Sequence, residues 1–198
     1  MDLLKNPDVV FGLNVATGFM GALTLVFVVR GIARRLGRLT ELHIRFSPRG
    51  GCQDAIVQEL QRARREILVQ AYSFTADPLT FALVDAKKRG LTVDIVLDRS
   101  NEAERYSDLK IFLDQGLDPH IDAEHAIAHN KIMIIDRKVV ITGSYNFTNQ
   151  AEGENAENLV IIKGRPDLVK LYVDNFLLHK SHAKKAEIKE PVAARRAA

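Results

Sequence analysis

The sequence has a single cysteine, Cys52, among its 198 residues. One thiol excludes an intrachain disulfide framework, and it also excludes a zinc site built from several thiolates. Net charge is scarce outside the first 40 residues. The 28 basic and 25 acidic residues include five and two, respectively, in residues 1–40, which leaves 23 of each in the remainder. The formal charge of +3 therefore belongs to the N-terminal segment, and bulk charge does not decide what the rest of the chain binds.

Charge is also missing from a run of 21 residues that begins at Val9 and ends at Val29. As a helix this run would be about 30 Å long, which matches the hydrocarbon core of a bilayer. Three interpretations remain open: a membrane anchor, a cleaved signal peptide, or a buried core helix. The anchor is favoured because Asp2 and Asp8 offset Lys5 at the start, where a signal peptide is basic, and because the run leads directly into arginines.

The arginines that follow this run predict its orientation. Arg30, Arg34, Arg35 and Arg38 lie on its C-terminal side, so the positive-inside rule places the rest of the chain in the cytoplasm. Cleavage of a signal peptide would instead make the protein periplasmic or secreted. We accordingly expect an anchor with a basic flank in residues 1–40, a catalytic domain in residues 41–183 and a disordered tail in residues 184–198.

Residues 41–183 read as an α/β domain. Apolar strand patterns alternate with helical periodicities, which predicts a mixed, largely parallel sheet with helices on both faces. Strands are predicted at 42–47, 66–72, 91–97, 131–135, 139–143 and 158–163, and helices at 53–65, 77–88, 108–114 and 166–182.

Polar residues of three nearby segments form one constellation. They are His129, Lys131 and Asp136, then Gly143, Ser144 and Asn146, then Glu157. A two-residue turn at Arg137-Lys138 would pair Asp136 with Val139. That register would set Lys131 opposite Ser144 and His129 opposite Asn146, so that four polar side chains meet on one patch.

The residue types in this patch suit the chemistry of phosphate esters. An imidazole is a good nucleophile or acid–base group near neutral pH, and an ammonium group is a compact clamp for a phosphate. Serine and asparagine add neutral hydrogen bonds to non-bridging oxygens, and a carboxylate can hold the tautomer of an imidazole. A cationic pocket of this kind favours phosphoryl transfer without a metal.

The spacing of these residues resembles the HKD motif of the phospholipase D superfamily. The order through Glu157 is similar to that of its small bacterial nuclease branch, and residues 67–98 resemble the strand–helix–strand that precedes the motif there. The resemblance covers roughly residues 42–182. The N-terminal apolar run with one HKD motif also resembles the membrane-anchored mitochondrial members, although this chain lacks their zinc-binding insertion.

The resemblance implies a phosphodiesterase that works through a covalent phosphohistidine, with no cofactor and no metal. By this analogy His129 is the nucleophile, or the acid in the opposite subunit, and Glu157 orients it. Lys131, Ser144 and Asn146 bind the phosphate, whereas Asp136 and Gly143 are structural. Because the chain carries one HKD motif, a homodimer with a composite active site is expected.

Three function classes follow. The first is a nuclease, the second is a phospholipase D acting on phospholipids such as phosphatidylcholine or cardiolipin, and the third is an inactive membrane scaffold. The intact motif argues against the scaffold, and the resemblance to the nuclease branch favours nucleic acid.

Three further groups of polar residues receive plainer interpretations. His179 and His182 have the spacing of a ligand pair, but no carboxylate or cysteine completes a set in the sequence, so a solvated helix end is expected. His120 and His125 could line the mouth of the cleft. The basic run Lys87-Lys88-Arg89 could contact nucleic acid, or it could simply complement the C-terminus of a helix.

Overall fold

The computed structural model describes residues 24–31, 40–102 and 107–187. The chain divides into two units, Met1–Thr40 and Glu41–Ala198. In the first unit, residues 24–31 form a helix, α1, whose apolar side chains from Leu25 to Val29 are exposed. Most of the apolar run of residues 9–29 lies outside the described residues. None of the helices formed by the described residues is both long and apolar enough to cross a bilayer.

The second unit alternates strands and helices. The strands are β1 (Glu41–Phe46), β2 (Glu66–Ala71), β3 (Thr92–Asp98), β4 (His120–Asp122), β5 (Lys131–Ile135), β6 (Val139–Gly143), β7 (Asn158–Lys163) and β8 (Lys184–Lys185). The helices are α2 (Cys52–Arg62), α3 (Asp77–Lys88), α4 (Leu109–Asp114), α5 (Asn149–Gly153) and α6 (Pro166–His182). All six predicted strands and all four predicted helices are present, whereas the short elements β4, α5 and β8 were not predicted.

The strands form one mixed sheet in the order β1-β7-β6-β5-β2-β3-β4-β8. The expectation of a largely parallel sheet is wrong. Within the described residues only β2·β3 and β3·β4 are parallel, and the other five pairings are antiparallel. Parallel neighbours need a long crossover, and the β2-α3-β3 and β3-α4-β4 stretches each supply one between adjacent strands. Strands β5 and β6 are joined by a three-residue turn and pair antiparallel. Strands β6 and β7 also pair antiparallel, through the longer connection of residues 144–157 that contains α5.

Helices cover both faces of the sheet, as expected. Strand β5 reads KIMII and is buried throughout, so each face of the sheet needs an apolar partner. One face packs against α2 and α3, through side chains such as Ile56, Leu60 and Leu83. The other face packs against α6, through Val169, Val173 and Phe176.

The antiparallel pairings bring seven strand termini to one end of the sheet. Strands β1, β2, β3, β4 and β6 finish there, and β5 and β7 begin there. The register shows this directly, because Ala71 pairs with Lys131 and Phe46 pairs with Asn158. We call this the Lys131 end of the sheet. The opposite end, where β5 finishes and turns into β6, is the Asp136 end.

The β5–β6 hairpin differs by one residue from the predicted register. Ile135, rather than Asp136, pairs with Val139, so the register runs from Lys131 towards Gly143 instead of Ser144. The turn contains three residues because Asp136 and Arg137 both have positive φ, 53° and 51°. Lys138 N–H closes the turn on the carbonyl of Ile135 at 2.9 Å.

The start of the expected tail is ordered. Lys184–Lys185 pair with β4 as strand β8, and Ala186 is buried with its N–H donating to the carbonyl of Pro119 at 2.9 Å. The structure therefore differs from the expected disorder at residues 184–186, because β4 offers an unpaired edge that a short extended segment can satisfy. Residues 188–198 lie outside the described part of the chain.

Candidate active site

Lys131 is the first residue of β5 and is buried, with 7 % of its surface exposed. Its Nζ donates a hydrogen bond to the carbonyl of His129 at 2.9 Å and lies 5.1 Å from the ring centre of Tyr72. Burial lowers the pKa of the Lys131 ammonium, and the negative charge of Glu157 opposes that shift. The site therefore holds a cation in a low-dielectric position with a carboxylate close enough to act on it.

His129 lies two residues before β5 and is exposed. Its ring packs against the ring of Tyr72, with centroids 4.6 Å apart. The backbone on both sides is fixed, since Ala128 N–H donates to the buried carboxylate of Asp98 at 2.7 Å and Tyr72 N–H donates to the carbonyl of Asn130 at 2.9 Å. An exposed imidazole on a fixed backbone is suited to attack a bound phosphorus atom.

Ser144 follows β6 and is held against the start of β7 by a reciprocal pair of hydrogen bonds. Its N–H donates to Asn158 Oδ1 at 3.0 Å, and its Oγ accepts from Asn158 N–H at 3.0 Å. The hydroxyl proton of Ser144 then remains for an oxygen of a substrate.

Gly143 is required by the same contact. Its φ is +147°, and a Cβ at this position would lie 2.2 Å from the carbonyl oxygen of Asn158. Any side chain would push β6 and β7 apart and would move Ser144.

Glu157 lies just before β7 and is positioned from two sides. Its Oε1 accepts a hydrogen bond from Asn155 Nδ2 at 3.1 Å. Its backbone joins the segment after β1, where Ser47 N–H donates to the Glu157 carbonyl at 3.0 Å and Glu157 N–H donates to Ser47 Oγ at 3.2 Å. Within the described residues Glu157 makes no hydrogen bond to His129, so its role in orienting His129 remains a prediction. Its negative charge does act on Lys131, where it raises the pKa of the ammonium against the effect of burial.

Asn146 contributes an unpaired amide. Its Oδ1 is buried and has no hydrogen-bond partner within the part of the chain that the structure describes. Leaving a buried polar group unpaired costs about 1–3 kcal/mol, so such a group is often one that a ligand satisfies. Rotation of the amide by 180° would offer Nδ2–H to a phosphate oxygen at the same position.

Asp136 lies at the other end of the sheet. It lies five positions after Lys131 along β5, a distance of about 16 Å. Its carboxylate accepts hydrogen bonds from the backbone N–H groups of Arg64, Arg65 and Glu66 at 2.9, 2.7 and 3.1 Å. This geometry supports the structural role that the motif implies, because the carboxylate ties the hairpin turn to the beginning of β2.

The structure thus gathers His129, Lys131, Ser144, Asn146 and Glu157 at the Lys131 end and separates Asp136 from them. Sequence reasoning missed three supporting residues, namely Tyr72, Ser47 and Asp98. Their signal is weak because they lie 30 to 110 positions along the chain from the site residues that they contact.

The plainer interpretations have mixed outcomes. Arg89 is structural: its guanidinium donates to the carbonyls of Leu60 and Gln61 at 2.8 and 2.7 Å and so caps the end of α2. The solvated helix end expected for His179 and His182 is wrong, because His179 is buried against Asp122. Burial alone would raise the pKa of Asp122, but the three neighbouring imidazoles, His179 first, hold it below its usual range.

Comparisons with known proteins agree with this geometry. Residues 56–179 match the family described as "Cardiolipin synthase, PLD-like domain". The chain belongs to the phospholipase D superfamily of phosphodiester hydrolases. It is 43 % identical over 136 residues to a phospholipase D of Rickettsia prowazekii, an alignment that covers 69 % of this chain and 66 % of the relative. The chain therefore spans about two thirds of the length of that relative.

More distant members of the phospholipase D superfamily match as well. A mitochondrial cardiolipin hydrolase of Mus musculus is 29 % identical over 121 residues, covering 61 % of this chain and 54 % of that protein. The crystal structure of the phospholipase D family member Nuc from Salmonella typhimurium superposes with a TM-score of 0.72 at 32 % identity. That superposition covers 75 % of this chain and 99 % of Nuc.

Proposed function

We propose that the protein cleaves phosphodiester bonds of nucleic acid through a covalent phosphohistidine. A nitrogen of His129 attacks phosphorus, a P–N bond forms, and the bond to the leaving oxygen breaks while that oxygen takes a proton. Water then attacks the phosphohistidine, releases the phosphate monoester and restores the imidazole. The observation that carries this proposal is the exposed ring of His129 beside the buried ammonium of Lys131.

The remaining groups divide the work of binding the phosphate. Lys131 supplies the positive charge, and its attraction to the phosphate is strong because the residue is largely removed from water. Ser144 and Asn146 offer hydrogen bonds to the non-bridging oxygens. Glu157 offsets part of the charge of Lys131 and opposes the lowering of the pKa of its ammonium by burial. None of these roles requires a bound metal, so we expect turnover to be independent of added Mg²⁺.

Two features at the Lys131 end support nucleic acid as the substrate. His129 and Ser144 are both exposed, so a long polymer can reach them. Arg49 and Arg99 follow the ends of β1 and β3 at the same end of the sheet and are also exposed. A polymer carries further phosphates on each side of the cleaved one, and these arginines are suited to bind them.

A phospholipid substrate is the second candidate, and one specific observation favours it. Ile127, two residues before His129, is 60 % exposed, and Phe46, next to the Ser47 that binds Glu157, is 65 % exposed. Apolar side chains beside a phosphodiesterase site could rest on a lipid surface. The relatives named phospholipase D agree with this alternative.

A parallel assay separates the two substrates. The full chain is incubated with single-stranded DNA, with RNA and with phosphatidylcholine or cardiolipin vesicles, and products are measured alongside Arg49→Gln/Arg99→Gln. We expect cleavage of nucleic acid, a several-fold higher KM in the double variant and loss of that difference in high salt. Cleavage of the phospholipids without cleavage of DNA or RNA would show that the substrate is lipid rather than nucleic acid.

We also propose that two copies share one active site. In-line displacement needs a nucleophile on one side of phosphorus and an acid on the other, and one HKD motif supplies one such histidine. Strand β1 at the edge of the sheet carries Leu42, Ile44 and Phe46, which are 60, 51 and 65 % exposed and share one face. An exposed apolar row of this kind fits a second copy. Full activity in a strictly monomeric species, measured by light scattering at assay concentration, would contradict the shared site.

The membrane anchor is a further proposal, supported by the apolar run of residues 9–29. The part of it within α1 is helical and exposes apolar side chains. We expect the protein to stay in the membrane fraction after a carbonate wash, with its catalytic domain protected from protease added outside. A mature N-terminus between residues 18 and 35 would indicate a cleaved signal peptide and a periplasmic or secreted domain instead.

A further inference from the structure

Four potential metal ligands converge beside the active site, outside the residues used for phosphate chemistry. Asp122 ends β4, and His125 lies three residues later. His179 and His182 occupy the last turn of α6 with the same spacing. The ligand atoms of these four side chains all lie within 4.8 Å of one another. Two short-spaced pairs from distant parts of the chain are a common arrangement in structural zinc sites.

The contacts centre on one carboxylate oxygen. Asp122 Oδ2 lies 2.7 Å from His179 Nδ1, 3.0 Å from His125 Nδ1 and 3.3 Å from His182 Nε2. The Asp122 side chain is fully buried. Although His182 Nε2 is close to Asp122, it is buried without a hydrogen-bond partner among the described residues. A buried nitrogen without a hydrogen-bond partner is often one that binds an ion or a ligand.

The three imidazole rings are packed closely around this carboxylate, with centroids pairwise 4.7, 5.3 and 5.5 Å apart. Each ring presents a nitrogen to Asp122, so four ligand atoms share one small volume. A divalent cation among the four side chains would accept lone pairs from the imidazoles and offset the charge of the carboxylate.

We propose that Asp122, His125, His179 and His182 bind one Zn²⁺ ion. Three imidazole nitrogens and one carboxylate oxygen form a ligand set that Zn²⁺ accepts in tetrahedral geometry. Four protein ligands leave no open position, so the ion is structural rather than catalytic. Glu124 Oε2 lies 3.9 Å from His182 Nδ1, where a second carboxylate can orient the ring from its far side.

The position of the site suggests what the ion does. It would join the end of α6 to the end of β4, two elements that otherwise meet at the edge of the sheet next to β8. His125 lies four residues before His129, so the ion would also fix the segment that carries the catalytic imidazole. A ligand that binds only the folded state raises stability by mass action, so Zn²⁺ should raise the melting temperature.

The test begins with metal binding by the full chain. The protein is stripped with a chelator, and Zn²⁺ is then titrated in competition with a chromophoric chelator. We expect one site per chain with a Kd of about 10⁻⁸ M or lower, as in other structural zinc sites. Absence of saturable binding tighter than about 10⁻⁵ M would overturn the proposal.

Variants locate the site. His179→Asn and His182→Asn should each weaken Zn²⁺ binding at least about 100-fold, because each removes one of four ligands. His43→Asn is the matched control, since this exposed histidine of β1 hydrogen-bonds to Glu41 and does not belong to the Asp122 cluster. His129→Asn should also bind normally, which separates this site from the catalytic one. Undiminished binding by both ligand variants would contradict the assignment.

A spectroscopic measurement covers the case in which the ligand variants do not fold. Co²⁺ bound to the stripped wild-type chain should give the intense visible absorption of a tetrahedral site, and Zn²⁺ should displace it. Zn²⁺ should also raise the melting temperature of the wild-type chain and of His43→Asn by several degrees. A weak octahedral Co²⁺ spectrum, or an unchanged melting temperature, would overturn the proposal. Neither readout depends on the substrate or on catalytic activity.

Discussion

Strand β5 has a charged residue of the HKD motif at each end, Lys131 at its start and Asp136 just beyond its last residue. At the Asp136 end the carboxylate is satisfied by three backbone N–H groups and holds the turn against β2. At the Lys131 end the polar groups are incompletely satisfied, since His129 is exposed and the amide oxygen of Asn146 is buried without a partner. The Asp136 end of the motif therefore holds strands in position, whereas the Lys131 end has polar groups left free for the proposed chemistry.

The largest effect that this comparison predicts is that of His129→Asn. We expect turnover to fall about 10³-fold or more, because no other group takes the place of the nucleophile. The free energy of unfolding should change by about 0.5 kcal/mol or less, since the side chain is exposed. Steady-state kinetics and urea unfolding measure the two quantities. The exposed His43 of β1 provides the matched His→Asn control. If His129→Asn were nearly as active as this control, His129 would not be the nucleophile.

Lys131→Met separates charge from packing at the same end. We expect kcat/KM to fall about 100-fold because the phosphate loses its ammonium partner. Stability should stay the same or rise, since methionine fills a similar volume and avoids the cost of a buried charge. The control is Lys138→Met, which changes an exposed lysine in the turn at the Asp136 end. A large loss of stability with normal turnover would show that Lys131 is structural.

Asp136→Ala should give the opposite pattern. We expect the free energy of unfolding to fall by about 3 kcal/mol, because three backbone N–H groups lose their acceptor and alanine disfavours a φ of 53°. Asp136→Asn keeps one acceptor oxygen and should lose about 1 kcal/mol. Turnover per folded molecule should change less than several-fold in both. The control Arg137→Ala removes an exposed ion pair to Glu66 and should cost about 0.5 kcal/mol. A turnover defect in Asp136→Ala as large as that of Lys131→Met would show that both ends of the strand contribute to catalysis.

The smallest effect concerns Cys52, which lies beneath the Lys131 end. Burial and the nearby charge of Glu152 raise the pKa of its thiol from 9.0 to about 11. Because the folded state holds the proton more tightly than the unfolded state, this contribution to stability is complete below about pH 9 and is lost as the pH rises through 11. Unfolding midpoints of the wild type should therefore fall more steeply between pH 9 and 11 than those of Cys52→Ala. Parallel pH profiles would show that Cys52 does not contribute.

The grouping of the candidate catalytic residues at one end of the sheet was predictable from sequence because they are close together and chemically distinctive. His129, Lys131 and Ser144 lie within 16 positions, and strand alternation alone suggests that they converge. The one-residue error in the register had a local cause that composition does not show. Asp136 and Arg137 adopt positive φ, which few non-glycine residues do, and the carboxylate of Asp136 supports that conformation from the end of the turn.

The sheet direction and the histidine cluster were less predictable because they depend on contacts between distant segments. The alternation of strands and helices suggested parallel pairing, but β5 pairs antiparallel with β2. Local hydrophobic periodicity does not indicate the direction of a strand relative to its neighbour. His179 and His182 were visible as a pair, whereas Asp122 lies 57 positions before His179. The pairing of β4 with β3, which the sequence does not reveal, brings that carboxylate to α6.

The central claim is that His129 forms a covalent bond to phosphorus. The most direct measurement is a single-turnover reaction with a phosphorus-labelled phosphodiester, stopped with alkali because phosphohistidine survives there, followed by peptide mass spectrometry. The account predicts a phosphoryl adduct on the peptide that contains His129, appearing before product and absent from His129→Asn. An adduct on another residue, or product release without any adduct at the earliest times, would contradict it.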